Sequence, residues 1–434
     1  MFGKLFGRAV PTDTHVEDAA PPCRSPQDGH DTIEIGQLDE AARIFEDEAR
    51  HGELGLKTLR LPDWFDFTLA PESPAFRAQQ LRLWEVITGR QNYDEATHED
   101  TPEIAGLDAW RRPAFYAWGN PQIAGEQVMA MGFILMHSGF RAGMRAIEFG
   151  AGFGQNAIAL ARLGAKVDTV DISPGFCAAV KTQAERFELD LTPYIAPFGF
   201  NPAGQDGAYD LILFYESFHH CLDFPAVIPQ LERMLAPGGK IVLAGEPIFR
   251  HEAPAMPIDW GIRLEWQNVA VMRIRGWMEL GFREDYLTRQ FMNAGFKWRH
   301  HALPGVGPAN LYEFTRWDGS ACLQEWQTSL AEVGWRGPQD GGQWTRGDAI
   351  LRLPRHDGQL ELTCVCRNHS GRDVTMTLGA ENIQFHLAEG ERMTVRLPMR
   401  GGADEQLHIR ANTDRLEHEF PEELGIFVET IAPV

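Results

Sequence analysis

The stretch Ala146-Ile-Glu-Phe-Gly-Ala-Gly-Phe-Gly154 constrains this chain more than any other. Its apolar start reads as a buried strand. Gly150, Gly152 and Gly154 fall at alternate positions, where a tight turn or a closely approaching ligand leaves no room for a Cβ. Gln155–Arg162 continues with helical spacing of its apolar residues. The unpaired backbone N–H groups of that helix start then face whatever occupies the turn. A second strand, Lys166–Asp171, ends on an acid at the spacing where a nucleotide's ribose hydroxyls are met.

Two nucleotide-like ligands suit such a turn. Gly152-x-Gly154-x-x-Ala157 matches the dinucleotide fingerprint, so an NAD-dependent oxidoreductase is one reading. Glu148 extends the pattern to Glu-x-Gly-x-Gly-x-Gly. Further pieces follow in order: Asp171, then Tyr209–Tyr215 as a fourth strand, then Leu235-Ala-Pro-Gly-Gly-Lys240 before a fifth strand at Ile241–Ala244. This ordered set resembles the class I S-adenosylmethionine-dependent methyltransferases over roughly residues 120–316. The resemblance implies a Rossmann-like α/β domain with S-adenosyl-L-methionine as cofactor. Glu148, Gly150, Gly152 and Gly154 would form the donor turn, Asp171 would hold the ribose, and Ile172 would pack on the adenine. One departure is that Ala196-Pro-Phe-Gly-Phe-Asn201 lacks the acid that many relatives place near the adenine amino group; Asn201 or backbone is expected to substitute.

At 434 residues, two or three domains are expected. Residues 1–33 are polar and carry four prolines, which predicts a disordered N-terminus. Residues 34–119 read as a helical cap. A helix is expected from Gln37, with Leu38, Ala41, Ala42 and Phe45 on one face. Another is expected over Ser73–Thr88, capped by Ser73 with Pro74 at its first position. An acidic loop holds Glu95, Glu99 and Asp100, and Pro113–Trp118 is an aromatic cluster suited to core or to a substrate wall. Residues 120–316 form the catalytic domain, in which alternating strands and helices imply a parallel sheet. Its insertion, Pro247–Gly281, is rich in large aromatic residues and suits a lid or acceptor pocket. Residues 317–434 turn to short alternating strands, as in a β-sandwich of jelly-roll type.

The formal net charge of −21 argues against nucleic acid as main partner. The longest apolar run, Val128–Met136, is far below spanning length, and Met1–Arg8 is too short for a secretory signal core. The six scattered cysteines suit a reducing, cytoplasmic setting. The oligomeric state is not legible.

Methyl transfer to a hydroxyl needs a base within hydrogen-bond reach. The end of the fourth strand, Tyr215-Glu-Ser-Phe-His-His-Cys221, lies at the sheet's carboxyl edge beside the donor turn. His219 and His220 are the candidate bases, with His219 favoured because it comes earlier after the strand. Glu216 is a third candidate, as orienting group, acceptor contact or base. Glu246, at the same edge, is a candidate acceptor contact. No ligand spacing is diagnostic, so no metal is expected.

A narrower resemblance is carried by Trp84–Tyr93, Glu216-x-x-His219-His220, Gly245-Glu-Pro247, Trp260-Gly-x-Arg263, Gly276-Trp-x-Glu279-x-Gly281-Phe282 and the closing Glu423-Leu-Gly-Ile426. These look like methyltransferases of bacterial surface-polysaccharide pathways. The resemblance implies O-methylation of a sugar or glycan hydroxyl, with Trp260, Arg263 and Trp277 among the acceptor contacts. The alternatives are the NAD-dependent oxidoreductase and a methyltransferase of a non-sugar small molecule.

Overall fold

A computed structural model describes residues 27, 30–99, 120–250, 253–317, 331–336, 341–367, 370–402, 405–415 and 423–434. Residues 1–26 and the aromatic cluster Pro113–Trp118 lie outside the described residues. No described helix is long and apolar enough to cross a membrane.

The cap begins earlier than its polar sequence suggests. Thr32–Ile33, expected to be disordered, pairs in parallel with Thr58–Leu59. The apolar Ile33 is buried there, and the Gln27 side chain donates to Leu59 O and accepts from Leu61 N. Helix α1 (Leu38–Phe45) buries Leu38, Ala41 and Ile44 on the expected face. Helix α2 (Pro74–Thr88) starts as its sequence dictates, with the Ser73 hydroxyl accepting from Phe76 N, and it ends at Gly89, whose φ of +72° favours glycine.

The α/β domain follows. Helix α3 (Pro121–His137) leads into strand β1 (Arg145–Phe149), helix α4 (Gln155–Arg162), strand β2 (Lys166–Asp171), helix α5 (Pro174–Arg186) and strand β3 (Leu191–Ile195). Strand β4 (Tyr209–Tyr215), helix α6 (Phe224–Met234) and strand β5 (Leu235–Ala244) complete the parallel part. The insertion then contributes two short strands, Ile248–Phe249 and Trp260–Ile262, and helix α7 (Trp266–Arg275). From sequence alone a helix is expected over Phe282–Asn293, but it starts only at Glu284. Leu280–Arg283 is instead a strand between the other two, because Phe282 and Leu280 are needed as buried cross-strand partners of Trp260 and Ile262. Helix α8 (Glu284–Asn293) leads to the antiparallel pair β6 (Phe296–Ala302) and β7 (Asn310–Arg316).

The seven strands run in the order β6-β7-β5-β4-β1-β2-β3. This is a Rossmann-like arrangement with β1 and β4 side by side, so the carboxyl ends of both open on one crevice. The central strands are buried on both faces, as expected of parallel sheets covered by helices.

Beyond Arg316 the chain enters a second core at Trp317. Strands Gln343–Arg352, Asp357–Val365, Arg372–Leu378, Glu381–Leu387, Arg392–Arg400, Gln406–Ala411 and Phe427–Pro433 form one antiparallel sheet, with Ala331–Trp335 beside the first. The sheet curls nearly closed, as the expected sandwich or barrel-like domain. The Leu-Gly-Ile phrase has a packing role: Leu424 and Ile426 are buried, and Gly425 O accepts from the buried Arg372 guanidinium.

The cap and the insertion form one unit over the crevice. Ile262 N donates to Gln80 Oε1, and Trp84, fully buried in α2, donates its indole N–H to Gly276 O at 3.0 Å. Trp84→Phe should therefore leave that carbonyl unpaired inside the protein and cost roughly 1–3 kcal/mol. A lowered melting temperature with donor affinity unchanged is the expected result; an unchanged melt would show the tie to be dispensable.

Candidate active site

The turn after β1 has φ of +62°, +53° and +67° at Gly150, Gly152 and Gly154, a conformation costly for any residue with a Cβ. Two of the three are also sterically fixed. A Cβ on Gly150 would lie 2.5 Å from the Ser217 Cβ, and one on Gly154 would lie 2.9 Å from Val180. At Gly152 a Cβ would meet no protein atom within 4 Å, because that position opens on a cavity.

Two adjoining cavities share Gly150, Gly152 and Glu216. The first is lined by Asp171 and Ile172 at the end of β2, by Ala196 and Phe198 after β3, and by Glu99, His220 and Trp277 opposite. The second is lined by Gln127, Glu148, Asn156 and Tyr215. Asp171 accepts from Gly152 N at 2.9 Å and from Ser173 N at 2.8 Å, so it braces the turn while facing the first cavity; burial raises its pKa. Glu148 accepts from Asn156 Nδ2 and Ala157 N and so anchors the first turn of α4. Burial pushes its carboxyl up to about 7. Asn201, the expected adenine reader, instead bonds within its own loop, to Ala203 N and Gln205 O; Ala196 and Phe198 take its place on the wall.

Glu216 is a non-glycine residue at φ +48°. Such a conformation is unfavourable for a glutamate and tends to persist where a site needs it. A Cβ at Gly245 would sit 2.7 Å from the Glu216 Cγ, so the glycine makes room for this side chain. Gln127 Nε2 donates weakly to it, at 3.4 Å. Burial, and then the neighbouring Glu246 carboxylate, push its carboxyl up to about 7.

The next residues hang on Glu246. Its carboxylate accepts from the backbone N–H groups of Ser217, Phe218 and His219, and from His219 Nδ1 at 2.8 Å. It is 4% exposed. Glu246 thus lines neither cavity, and its expected role as acceptor contact is corrected to that of an internal clamp: four donors converge on it and leave nothing for a ligand. Trp260 is corrected likewise. It is buried against Phe76 and Phe224, with its indole N–H on Pro71 O. Arg263 lies behind the wall and bonds Glu279 at 2.6 Å. Trp277, the fourth expected contact, does line the cavity.

The two histidines separate. His220 lines the first cavity, with Nδ1 donating to Met278 O at 2.9 Å and its ring edge-to-face with Trp277. His219, favoured from sequence, is buried beneath, between Glu246 and Glu279. Burial, and then the His220 ring, hold its pKa below the ordinary histidine value. The acidic loop of the cap supplies groups that sequence did not assign. Glu99 accepts from Tyr93 OH and from Met278 N, and it faces the same cavity as Glu95. The excess of acids in that loop was the only signal available.

Residues 128–301 match a family model described as a methyltransferase domain. This decides between the two readings of the glycine turn. Over those residues the chain is similar to methyltransferases. Ubiquinone biosynthesis O-methyltransferases of Xanthomonas oryzae pv. oryzae (strain PXO99A) and Xanthomonas campestris pv. campestris (strain B100) are similar at 29% identity over 103 residues and 28% over 102. Each match covers 24% of this chain and 43% of the relative, so the chain spans under half the length of the curated relatives it matches. A solved magnesium protoporphyrin IX methyltransferase from Synechocystis PCC 6803 is similar at 18% identity, over 49% of this chain and 94% of that one, with a TM-score of 0.36.

S-adenosylmethionine, the cofactor of this methyltransferase domain, fits the residues present. Gly152 leaves space for it, Asp171 offers a carboxylate to ribose hydroxyls, and Ile172, Ala196 and Phe198 give the apolar slot that an adenine needs. Asp171→Ala should weaken binding of S-adenosylmethionine by roughly ten- to a hundredfold, the loss of one or two hydrogen bonds to a charged group. Calorimetry on the folded variant checks this; equal affinity would remove Asp171 from the cofactor site.

Proposed function

We propose that this chain methylates a hydroxyl of a sugar or glycan, with S-adenosylmethionine as donor and Glu216 as the general base. The position of Glu216 carries the reading. It lies where the two cavities meet, in a strained conformation that a glycine at 245 accommodates, and its carboxyl is tuned to about 7. A base is most effective when its pKa lies near the working pH.

When bound, S-adenosylmethionine supplies a methyl group already activated as a sulfonium. The protein's task is to hold an acceptor oxygen in line with that methyl group and to take its proton. Gly150 and Gly152 let the backbone approach the donor, and Asp171 and Ile172 hold its nucleoside end. Glu216 accepts the hydroxyl proton. His220 and Trp277 form the wall against which the acceptor lies.

Support for a sugar comes from that wall. Trp277 offers an apolar face, and Glu95 and Glu99 beside it offer acceptors for neighbouring hydroxyls. A sugar has this combination of an apolar face and a fringe of hydroxyl donors. The curated relatives, named for ubiquinone biosynthesis, favour a second reading in which the acceptor is a non-sugar small molecule.

Glu216→Gln should lower turnover by roughly 10²–10⁴-fold while leaving donor affinity nearly unchanged. The pH profile adds a sign. The base must be ionised, so kcat/KM of the wild-type protein should rise as pH increases through about 7 and fall below it. That limb should vanish in the glutamine variant. A profile already flat between pH 5 and 8 in the wild-type protein would overturn Glu216 as the base. Turnover of phenols but of no sugar in an acceptor screen would select the second reading.

A further inference from the structure

The proposed reaction uses His220 only as a wall and leaves the convergence of His219, His220 and Glu279 unexplained. Their potential ligand atoms lie within 4.8 Å of one another. Two come from the turn after β4 and one from the insertion, 59 residues on, so no local motif announces them.

The two rings are held in the same sense. His219 turns Nδ1 to the Glu246 carboxylate, and His220 turns Nδ1 to Met278 O. A carbonyl and a carboxylate only accept, so both rings carry a proton on Nδ1, and each ring in its neutral form presents Nε2 as a lone pair. The ring centroids are 4.3 Å apart. A histidine that ligates a metal usually donates its other ring N–H to a carboxylate or backbone carbonyl; both partners of that kind are present here. Glu279, itself oriented by Arg263, stands opposite His219 Nε2. His219 Nε2 is 3.6 Å from Glu279 Oε2, too long for a hydrogen bond. It is close to the roughly 3.4 Å that separates two ligands each about 2.1 Å from a tetrahedral ion.

We infer that His219, His220 and Glu279 bind one late first-row divalent metal ion of the zinc class at the edge of the acceptor cavity. Two imidazoles and one carboxylate select such an ion over magnesium or calcium, which prefer all-oxygen sites. Three protein ligands leave coordination positions open, as in catalytic rather than structural sites. His220 places the ion beside the cavity that Glu216 shares. There it would polarise the acceptor hydroxyl, whose proton passes to Glu216. This last step rests on the proposed acceptor site; the metal site itself does not.

The test uses full-length protein stripped with a chelator and titrated with Zn²⁺ and with Co²⁺, without any acceptor. The expected result is one equivalent bound, with visible Co²⁺ bands free of thiolate charge-transfer character. His220→Ala and Glu279→Gln should each weaken binding at least tenfold, with an unchanged far-ultraviolet circular dichroism spectrum and a cooperative melt as proof of a folded domain. His220 is half-exposed and packs less into the core than Glu279, so His220→Ala serves if the glutamine variant does not fold. Absence of ion binding by the wild-type protein, or equal binding by His220→Ala, overturns the site. Loss of turnover in Glu216→Gln with metal binding intact separates this inference from the assignment of the base.

Discussion

A buried carboxylate organises the working edge of this protein. Glu246 receives three consecutive backbone amides and an imidazole N–H, and it is nearly sealed from solvent. An ionised carboxylate in such a place is tolerable only because its donors replace the water it has lost. Those bonds hold it ionised against the desolvation that opposes it. They also fix the turn after β4 as a unit. Ser217 is pressed against Gly150 and bonds Phe149 O, Glu216 is rotated into the left-handed region, and the two histidine rings lie side by side, 4.3 Å apart. The donor turn and the acceptor wall therefore share one reference point, although they come from different strands.

The second constraint is imposed from above. Met278 donates its N–H to Glu99 of the cap and accepts from His220 of the core. One residue of the insertion thus ties the cap loop to the catalytic turn. Trp84 and Gln80 tie helix α2 to the same insertion. The insertion is for this reason a packed layer and not a free loop, and desolvation of the half-buried Glu99 beneath it raises its pKa.

The sequence was most legible where backbone geometry alone decides structure. The alternating glycines, the Ser73 cap and the strand–helix alternation are local signals, and their elements appear with boundaries shifted by a few residues at most. The brace from Asp171 to Gly152 was legible for the same reason, since both lie within one strand–helix–strand unit. Side chains whose meaning depends on distant partners were not. Glu246 and Trp260 carry polar or aromatic character that suits a ligand, and only the tertiary structure shows that protein atoms have claimed it. His219 and His220 are adjacent in sequence, and nothing local says which one faces the cavity. Phe282 and Arg283 read as the start of a helix because a strand that pairs with an insertion has no periodicity of its own to betray it.

Gly281 carries a consequence of a different kind. It pairs with Gly261 across the small sheet, and its backbone lies outside the left-handed region, so conformation does not require glycine there. Space does: an added Cβ would lie 2.7 Å from the Cγ of Arg263, whose head holds Glu279. The glycine and the arginine are thus a linked pair in evolution. A lineage that keeps the long side chain at 263 must keep 281 bare, and one that shortens it releases 281 to drift. Joint variation at these two positions would be a historical record of whether the Arg263–Glu279 contact had been retained.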